Sequence, residues 1–274
     1  MVRKIKIVQK KAPKKSWGPL QIQKVVWIVG HAMTLGLGSL FSVTYALQSL
    51  IFFKYRSWKW IFMRLNKSYS YFNGPRWYHA LLRWTPQLVY RLAIVGSFMS
   101  LGVTSYQNAH GLHPQWYEMF SAENFQYLVI SVFWFFTEAS VFKLLPLMLL
   151  SYMHITNWRQ EVNGIKDSDA VTKKNAAVLR ALAVAELLVA VSLAMNTILM
   201  NSGASGVVLV LYLGIYWLRI NFSPYMQIMM LKLLSKLDPK IPPKRAEQWG
   251  FIKKFIYSKI QDHERRKAEI EKTA

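Results

Sequence analysis

Residues 25–53 read VVWIVGHAMTLGLGSLFSVTYALQSLIFF and contain no Asp, Glu, Lys or Arg in 29 consecutive positions. A helix needs roughly 20 apolar residues to cross a hydrocarbon core of about 30 Å, so this stretch is long enough to span a bilayer. It is too long for a signal peptide, lies far from the N-terminus and lacks a small-x-small cleavage site. The stretch therefore indicates an integral membrane protein.

The composition agrees with a membrane chain. The 274 residues are 53% hydrophobic and 18% charged, with a formal net charge of +22, whereas soluble domains carry about a quarter charged residues. There is no cysteine, which excludes disulfides, thiolate metal sites, catalytic thiols and palmitoyl anchors.

Charge and hydropathy divide the chain into three parts. Residues 1–24 form a basic cytosolic arm with eight Lys/Arg and no acid, and residues 25–218 alternate apolar segments with loops. Residues 219–274 form a basic cytosolic tail, in which the Met- and Leu-rich stretch 223–238 is predicted to be an amphipathic helix. A basic arm of this kind is held at an anionic membrane surface by charge. The pattern predicts an all-α, polytopic helical membrane protein with hairpin-like segments and a C-terminal amphipathic helix.

Two apolar segments have an ambiguous path through the bilayer. The sequence GLGS at 36–39 could break the first run, and we expect a hairpin entering from the cytosolic face rather than one long tilted span. A hairpin keeps every Lys/Arg-rich segment cytosolic, as the positive-inside rule requires. Residues 125–155 are interrupted by TEAS and Lys143 and contain Pro146, which fits either one kinked span or two half-length arms.

Charged residues inside apolar segments are costly and are the first functional candidates. Here they are Glu138, Lys143, Arg180 and Glu186. Arg180 lies near a helix start, from which it can reach the headgroups, but Glu186 lies deeper and needs a partner. We predict a structural ion pair between Lys143 and Glu186 that orients their helices. The alternative is a small transporter or lipid-handling membrane enzyme that uses Glu186, Lys143 and Glu138.

Other chemistry has little support in the sequence. No phosphate-binding glycine loop, catalytic triad, HExxH motif or paired carboxylates stand in a polar context, so we expect no catalytic residues, no cofactor and no enzyme. His110 and His113 lack a third ligand, and we expect no metal site. Aromatic and basic residues alternate through 54–91, which is typical of a membrane interface; we expect no direct nucleic-acid partner.

The C-terminal stretch 249–272 is typical of a polar helix with one apolar stripe. On a helical wheel the stripe covers an arc of about 140°, formed by Trp249, Ile252, Phe255, Ile256 and Ile260. Basic residues that could bind lipid headgroups or an acidic partner such as an import receptor are Lys253, Lys254, Lys259, Arg265, Arg266 and Lys267. At about 1 kcal/mol per half-buried side chain, the helix would bind membranes reversibly. The alternative is packing on the protein's own cytosolic surface.

Several stretches, in order, resemble the transmembrane protein 33 family, whose fungal members include a 33-kDa pore-membrane nucleoporin and its paralogue. They are WGPLQIQKVVWIVGHAMTLGLGSLF, VYRLAIVGSFMSLGVTSYQ, SAENFQYLVISVFWFFTEASVFKLLPLMLLSYMH, AAVLRALAVAELLVAVSL and LYLGIYWLRINFSPYMQ. ENFQYL and LRINFSP are the most specific pieces, and the resemblance covers residues 17–237.

The resemblance implies a non-enzymatic protein of the endoplasmic reticulum and nuclear envelope that organises membranes and supports membrane curvature. The resemblance also implies that the protein acts together with reticulon-type proteins and contributes to nuclear pore complex assembly or distribution. The implied partners are nucleoporins, an import receptor and membrane lipids. A homo-oligomer stays open as an alternative to a single copy.

Overall fold

The computed structural model describes residues 18–55, 75–110, 116–158, 174–199 and 205–273, and every regular element within these ranges is helical. The nine α-helices are α1 (Pro19–Tyr55), α2 (Trp77–Ala109), α3 (Trp116–Ser121), α4 (Glu123–Phe136), α5 (Val141–Thr156), α6 (Ala176–Ile198), α7 (Ser205–Phe222), α8 (Pro224–Leu237) and α9 (Ala246–Thr273). Helices α1, α2 and α6 are each long and apolar enough to cross a membrane, and α7 with α8 forms a further apolar pair bent by 101°. The all-α polytopic fold is confirmed.

The first apolar run is one helix, so the hairpin expected at 36–39 is wrong. Helix α1 continues through Gly36 and Gly38 for 37 residues. In hydrocarbon a break would leave backbone N–H and C=O groups without partners, so the helix is the favoured conformation even with glycines. Gly38 brings two helices together instead, since it packs directly on Met148 of α5.

The closest approach of α1 and α2 is made by Gly30 and Gly96. A Cβ at Gly30 would lie 2.6 Å from the Gly96 carbonyl oxygen, and a Cβ at Gly96 would lie equally close to the Gly30 oxygen. Thr34 beside this contact hydrogen-bonds the Ala93 carbonyl and Ser97. Small residues and hydroxyl groups are the usual means of packing helices in lipid, where the hydrophobic effect does not drive helices together.

Contacts along their lengths give the helix directions. Trp27 bonds Thr104 and Phe41 packs on Tyr90, so α1 and α2 are antiparallel. Two further ring contacts, Trp27 with His154 and Tyr45 with Phe142, make α5 antiparallel to α1. We call the end of the bundle where α1 begins face A and the opposite end face B.

Helices α4 and α5 enter and leave the bundle at face A. Arg219 near the end of α7 contacts Glu123 at the start of α4, whereas Trp134 packs on Tyr212 further back in α7. Helices α6 and α7 are antiparallel, because Glu186 contacts Arg219 and Gly206 contacts Thr197. Lys174, just before α6, donates to Asn157 at the face A end of α5, so α6 begins and α7 ends at face A. Helix α4 therefore runs away from face A and α5 returns to it. Of the two paths left open for residues 125–155, the structure has the two half-length arms.

We refer to α4, residues 137–140 and α5 as the half-membrane hairpin. Its arms have 14 and 16 residues, or about 21 and 24 Å, short of a hydrocarbon core of about 30 Å. Beyond the level of its apex α1 continues for ten residues past Tyr45. Of the described helices, α1, α2, α6 and α7 reach face B, whereas these four and both hairpin arms reach face A.

The distribution of basic residues predicts which face is cytosolic. Face A carries the N-terminal arm, with eight Lys/Arg, and the chain beyond Arg219, with twelve. Face B carries the connection from Tyr55 to Trp77, in which only five Lys/Arg occur. The positive-inside rule therefore predicts that face A is cytosolic.

The last part of the chain lies at face A. Helix α8 follows α7 after a sharp bend and buries Met226 and Leu234 against the bundle. Two short 3₁₀ turns, Asp238–Lys240 and Pro243–Arg245, lead into α9. The helices expected for 223–238 and 249–272 are both present, and the division at residues 24 and 218 stays a prediction.

The glycine contact can be tested by adding one methyl group. Gly30→Ala forces its Cβ against a backbone oxygen that cannot move independently, so we expect a loss of about 1–3 kcal/mol of stability. Thermal unfolding of the detergent-solubilised chain measures this loss. Gly102→Ala in α2, whose Cβ position has open space around it, is the control and should not lower the midpoint.

The single-span path of α1 predicts a glycan. Asn66-Lys67-Ser68 is an acceptor sequence in the connection between the face B ends of α1 and α2, and lumenal acceptors are glycosylated. We expect a mobility shift that glycosidase treatment abolishes and that Asn66→Gln lacks. The opposite result is no glycan on Asn66 together with glycosylation of an acceptor engineered into the N-terminal arm. It would show that face A, not face B, is lumenal.

Candidate functional site

The apex of the half-membrane hairpin carries two cations. At the end of α4 the last carbonyl groups have no helical partners, and Lys143 Nζ donates to the Glu138 carbonyl at 2.8 Å and to Thr137 Oγ1 at 2.9 Å. Arg91 of α2 donates to the Phe135 carbonyl at 2.8 Å. Both cations also complement the negative end of the α4 dipole.

The arms of the hairpin are tied to the rest of the bundle by Arg219 of α7. Its Nε donates to Glu186 Oε2 at 2.6 Å, and one terminal nitrogen donates to Glu123 Oε1 at 2.6 Å. The side chains of Arg219 and Glu186 are each 2% exposed, whereas that of Glu123 is 47% exposed. One guanidinium thus connects α4, α6 and α7.

Tyrosines complete this cluster. Tyr127 of α4 donates its hydroxyl to Glu186 Oε1 and accepts from Arg219 at 2.9 Å, and the guanidinium carbon lies 4.1 Å from its ring centroid. Tyr212 donates to the Glu186 backbone carbonyl at 2.9 Å. Both carboxylate oxygens of Glu186 therefore have donors, which a buried carboxylate needs to compensate its lost hydration. We call Glu123, Tyr127, Glu186, Tyr212 and Arg219 the arginine cluster.

The predicted Lys143–Glu186 ion pair is wrong as a direct contact. Glu186 pairs with Arg219, and Lys143 points to the hairpin apex, where it also lies 5.1 Å from the Trp134 ring centroid. In sequence Arg219 marks the start of the predicted cytosolic tail, because it ends an apolar run. Since α7 is followed at once by the bend into α8, Arg219 stays inside the bundle.

Lys143 and Glu186 do border one small cavity. Its volume is about 10 Å³, room for about one water molecule. The lining residues are Tyr127, Ile130, Trp134, Lys143, Pro146, Leu147, Glu186, Val189 and Tyr212. A second cavity of about 30 Å³ between α4 and α7 is lined almost entirely by apolar side chains. Neither volume admits a transported solute or a lipid substrate, so these cavities do not support the alternative function.

Helix α9 is docked on the bundle through residues of its predicted stripe. Phe255 stacks on Trp217 of α7 with ring centroids 5.7 Å apart, and half-buried Trp249 donates to Asp238 Oδ1 at 2.5 Å. Lys253 pairs with Asp238 at 2.8 Å. The hydrogen bonds from Lys253 and then Trp249 lower the pKa of the exposed Asp238 carboxyl.

The docked helix still presents apolar side chains to its surroundings. Ile252 and Phe255 are 46% and 45% exposed, and Phe251, which the predicted stripe omitted, is 74% exposed. Lys254 is exposed and Ile256 is half-buried. The side chains of Lys259, Ile260, Arg265, Arg266 and Lys267 lie outside the described part of the chain, and their predicted contacts stay predictions.

Sequence reasoning missed most of the arginine cluster. Glu123, Gln126 and Tyr127 occupy one face of α4 at i, i+3 and i+4, a polar face at the start of an otherwise apolar helix. That spacing, together with the tyrosine at 212, was the available signal that a cation enters the bundle there. Gln126 Oε1 lies 3.5 Å from a terminal nitrogen of Arg219.

The arginine cluster should dominate the stability of the bundle. Arg219→Gln leaves Glu186 buried without its cation, and breaking a buried pair costs about 3–5 kcal/mol. Thermal unfolding in detergent should show this loss for Arg219→Gln and little change for Arg180→Gln, which removes an exposed arginine from α6. The double variant Glu186→Gln/Arg219→Gln should recover much of the lost stability. A double variant with a lower unfolding midpoint than Arg219→Gln would contradict the role assigned to the ion pair.

Comparison with known proteins gives a family. The family model described as Transmembrane protein 33/Nucleoporin POM33 matches residues 76–262. The chain is 49% identical over 278 aligned positions, covering 100% of both chains, to an uncharacterized membrane protein of Saccharomyces cerevisiae. No solved structure matches the chain.

Proposed function

The chain belongs to the family described as Transmembrane protein 33/Nucleoporin POM33, and on that basis we propose that it is a non-enzymatic protein that shapes and organises membranes. The observation that carries the proposal is the half-membrane hairpin. Both of its arms add cross-section at face A and none at face B. Among the described helices the difference is two, each about 10 Å across, and a molecule that is wider on one side favours a membrane that curves away from that side.

The arginine cluster supports this proposal because it keeps the wedge rigid. A hairpin that could slide or extend across the bilayer would lose its asymmetry. Arg219 ties the start of α4 to α6 and α7 at face A, while Gly38 and Met148 pack α5 against α1. The apolar residues that α9 exposes would add area to the same leaflet, in keeping with a tail that lies on the membrane surface.

We further propose that the membranes concerned are the endoplasmic reticulum and the nuclear envelope, including the nuclear pore membrane. The family description, which contains a nucleoporin, supports this setting. Reticulon-type proteins, nucleoporins and an import receptor remain the proposed partners, with the basic tail as the surface for an acidic partner. If the tail directs the protein to the nuclear pore membrane, a tagged chain truncated after Pro243 should lose its punctate signal at the nuclear rim.

Curvature preference tests the wedge directly. The fluorescently labelled chain is reconstituted in giant vesicles with face A outward, and a thin membrane tube is pulled from each vesicle. We expect enrichment on the tube, whose outer leaflet is expanded, and depletion when face A is inward. Because the hairpin lies within residues 123–156, truncation after Pro243 should reduce the enrichment without abolishing it.

Two results would contradict this reading. Equal density on tube and vesicle in both orientations would exclude a wedge. Enrichment that disappears completely on truncation would assign curvature preference to α9 alone. The matched control for tail chemistry is Ile252→Asp with Ile256→Asp in the full-length chain, which removes apolar contacts of α9 and leaves the hairpin intact.

A further inference from the structure

Arg91 is an exposed cation in the middle of a membrane helix. It lies 14 residues, or about 21 Å, from Trp77 at one end of α2 and 18 residues, or about 27 Å, from Ala109 at the other. The exposed side chains around it are apolar: Leu88 is 57% exposed, Leu92 38% and, across the contact with α4, Phe136 76%. Arg91 therefore faces the lipid rather than the interior of the bundle.

The protein satisfies only part of this guanidinium. Among the described residues its hydrogen-bond acceptor is the Phe135 carbonyl, and its charge lies 5.4 Å from the Phe135 ring centroid. Arginine has five N–H donors, so most of them have no hydrogen-bond acceptor in the described part of the chain. A charged side chain at the bilayer centre costs several kcal/mol unless water or headgroups reach it.

The shape of the bundle brings headgroups within reach from face B. Arg91 lies at the level of the hairpin apex, and the hairpin does not extend from there toward face B. Trp84, which is 62% exposed, lies two turns from Arg91 on the face B side, and exposed tryptophans mark the headgroup level. If the Arg91 side chain points toward face B, a headgroup needs to move inward by only part of the leaflet thickness to reach it.

We propose that Arg91 binds the phosphate of a phospholipid from the face B leaflet, beside the apex of the half-membrane hairpin, where its side chain is exposed. A guanidinium offers a planar pair of donors that matches phosphate geometry, and such pairs are strong in a low-dielectric setting. Leu92 and Phe136 would contact the acyl chains of the same lipid, and Leu88, about one turn closer to face B, would lie beside its headgroup. The proposal rests on the hairpin architecture and is independent of the proposed curvature function.

Depth-dependent fluorescence quenching tests the proposal, because the chain has no cysteine and a single Leu88→Cys can be labelled cleanly. The labelled full-length chain is placed in phosphatidylcholine vesicles containing a nitroxide on either the headgroup or the acyl chain. We expect headgroup quenching to exceed acyl-chain quenching at residue 88. A label at Val43→Cys, exposed on α1 at the level of Leu88 because Phe41 packs on Tyr90, should show the reverse. The opposite pattern at residue 88 would overturn the proposal.

Variants of Arg91 separate charge from helix capping. Arg91→Gln keeps a donor for the Phe135 carbonyl but has no charge, and we expect the ratio of headgroup to acyl-chain quenching at residue 88 to fall by at least about twofold. Arg91→Lys keeps the charge and should preserve most of the ratio. An unchanged ratio in Arg91→Gln would contradict phosphate binding.

Galactolipid vesicles, which lack phosphate, distinguish the sources of the effect. There the native chain and Arg91→Gln should give the same ratio, and inorganic phosphate added to the buffer should not restore a difference. A difference that persists without phosphate would mean that water alone solvates Arg91. Restoration by inorganic phosphate would mean that a soluble anion, not a lipid, occupies the site.

Discussion

The bundle depends on the ion pairs that the Arg219 guanidinium forms. This guanidinium is buried with Glu186 on α6 and reaches Glu123 at the start of α4, so it holds together the helices that surround one arm of the half-membrane hairpin. Ion pairs in a low-dielectric interior stabilise a structure only when the remaining donors and acceptors are satisfied. Tyr127 and Tyr212 provide those hydrogen bonds. The cluster thus fixes the relative positions of α4, α6 and α7.

The same logic explains why cations lie so deep in the bundle. A hairpin that turns inside the bilayer must expose carbonyl groups at the end of its first arm, and lipid offers them no donors. Lys143 and Arg91 supply the donors from α5 and α2. The cost of placing charge in the membrane is therefore linked to a segment that turns back before it has crossed the hydrocarbon core. The proposed asymmetry in cross-section and the proposed binding of a lipid headgroup by Arg91 both rest on this one turn.

Composition and hydropathy were sufficient to predict the helical membrane class, the interruption of residues 125–155 and the two helices after Arg219. Hydropathy could not give the path of α1, because GLGS is equally compatible with a turn and with close helix packing, and only the contact of Gly38 with Met148 decides between them. It also could not choose the partner of Glu186. Lys143 lies inside an apolar segment whereas Arg219 ends one, but partners in a bundle are set by helix direction and by the bend after Phe222, which no periodicity reports.

The depth of the hairpin is the measurement that tests the central claim most directly. Single cysteines at Glu118, Ala139 and Thr156 of the otherwise cysteine-free chain can carry nitroxide labels, whose accessibility to oxygen and to a water-soluble nickel chelate reports depth in vesicles. A half-membrane hairpin predicts that 118 and 156 are reached by the chelate from the same face and that 139 is reached mainly by oxygen. Labels at 118 and 156 reached from opposite faces would show a single kinked span and contradict the account.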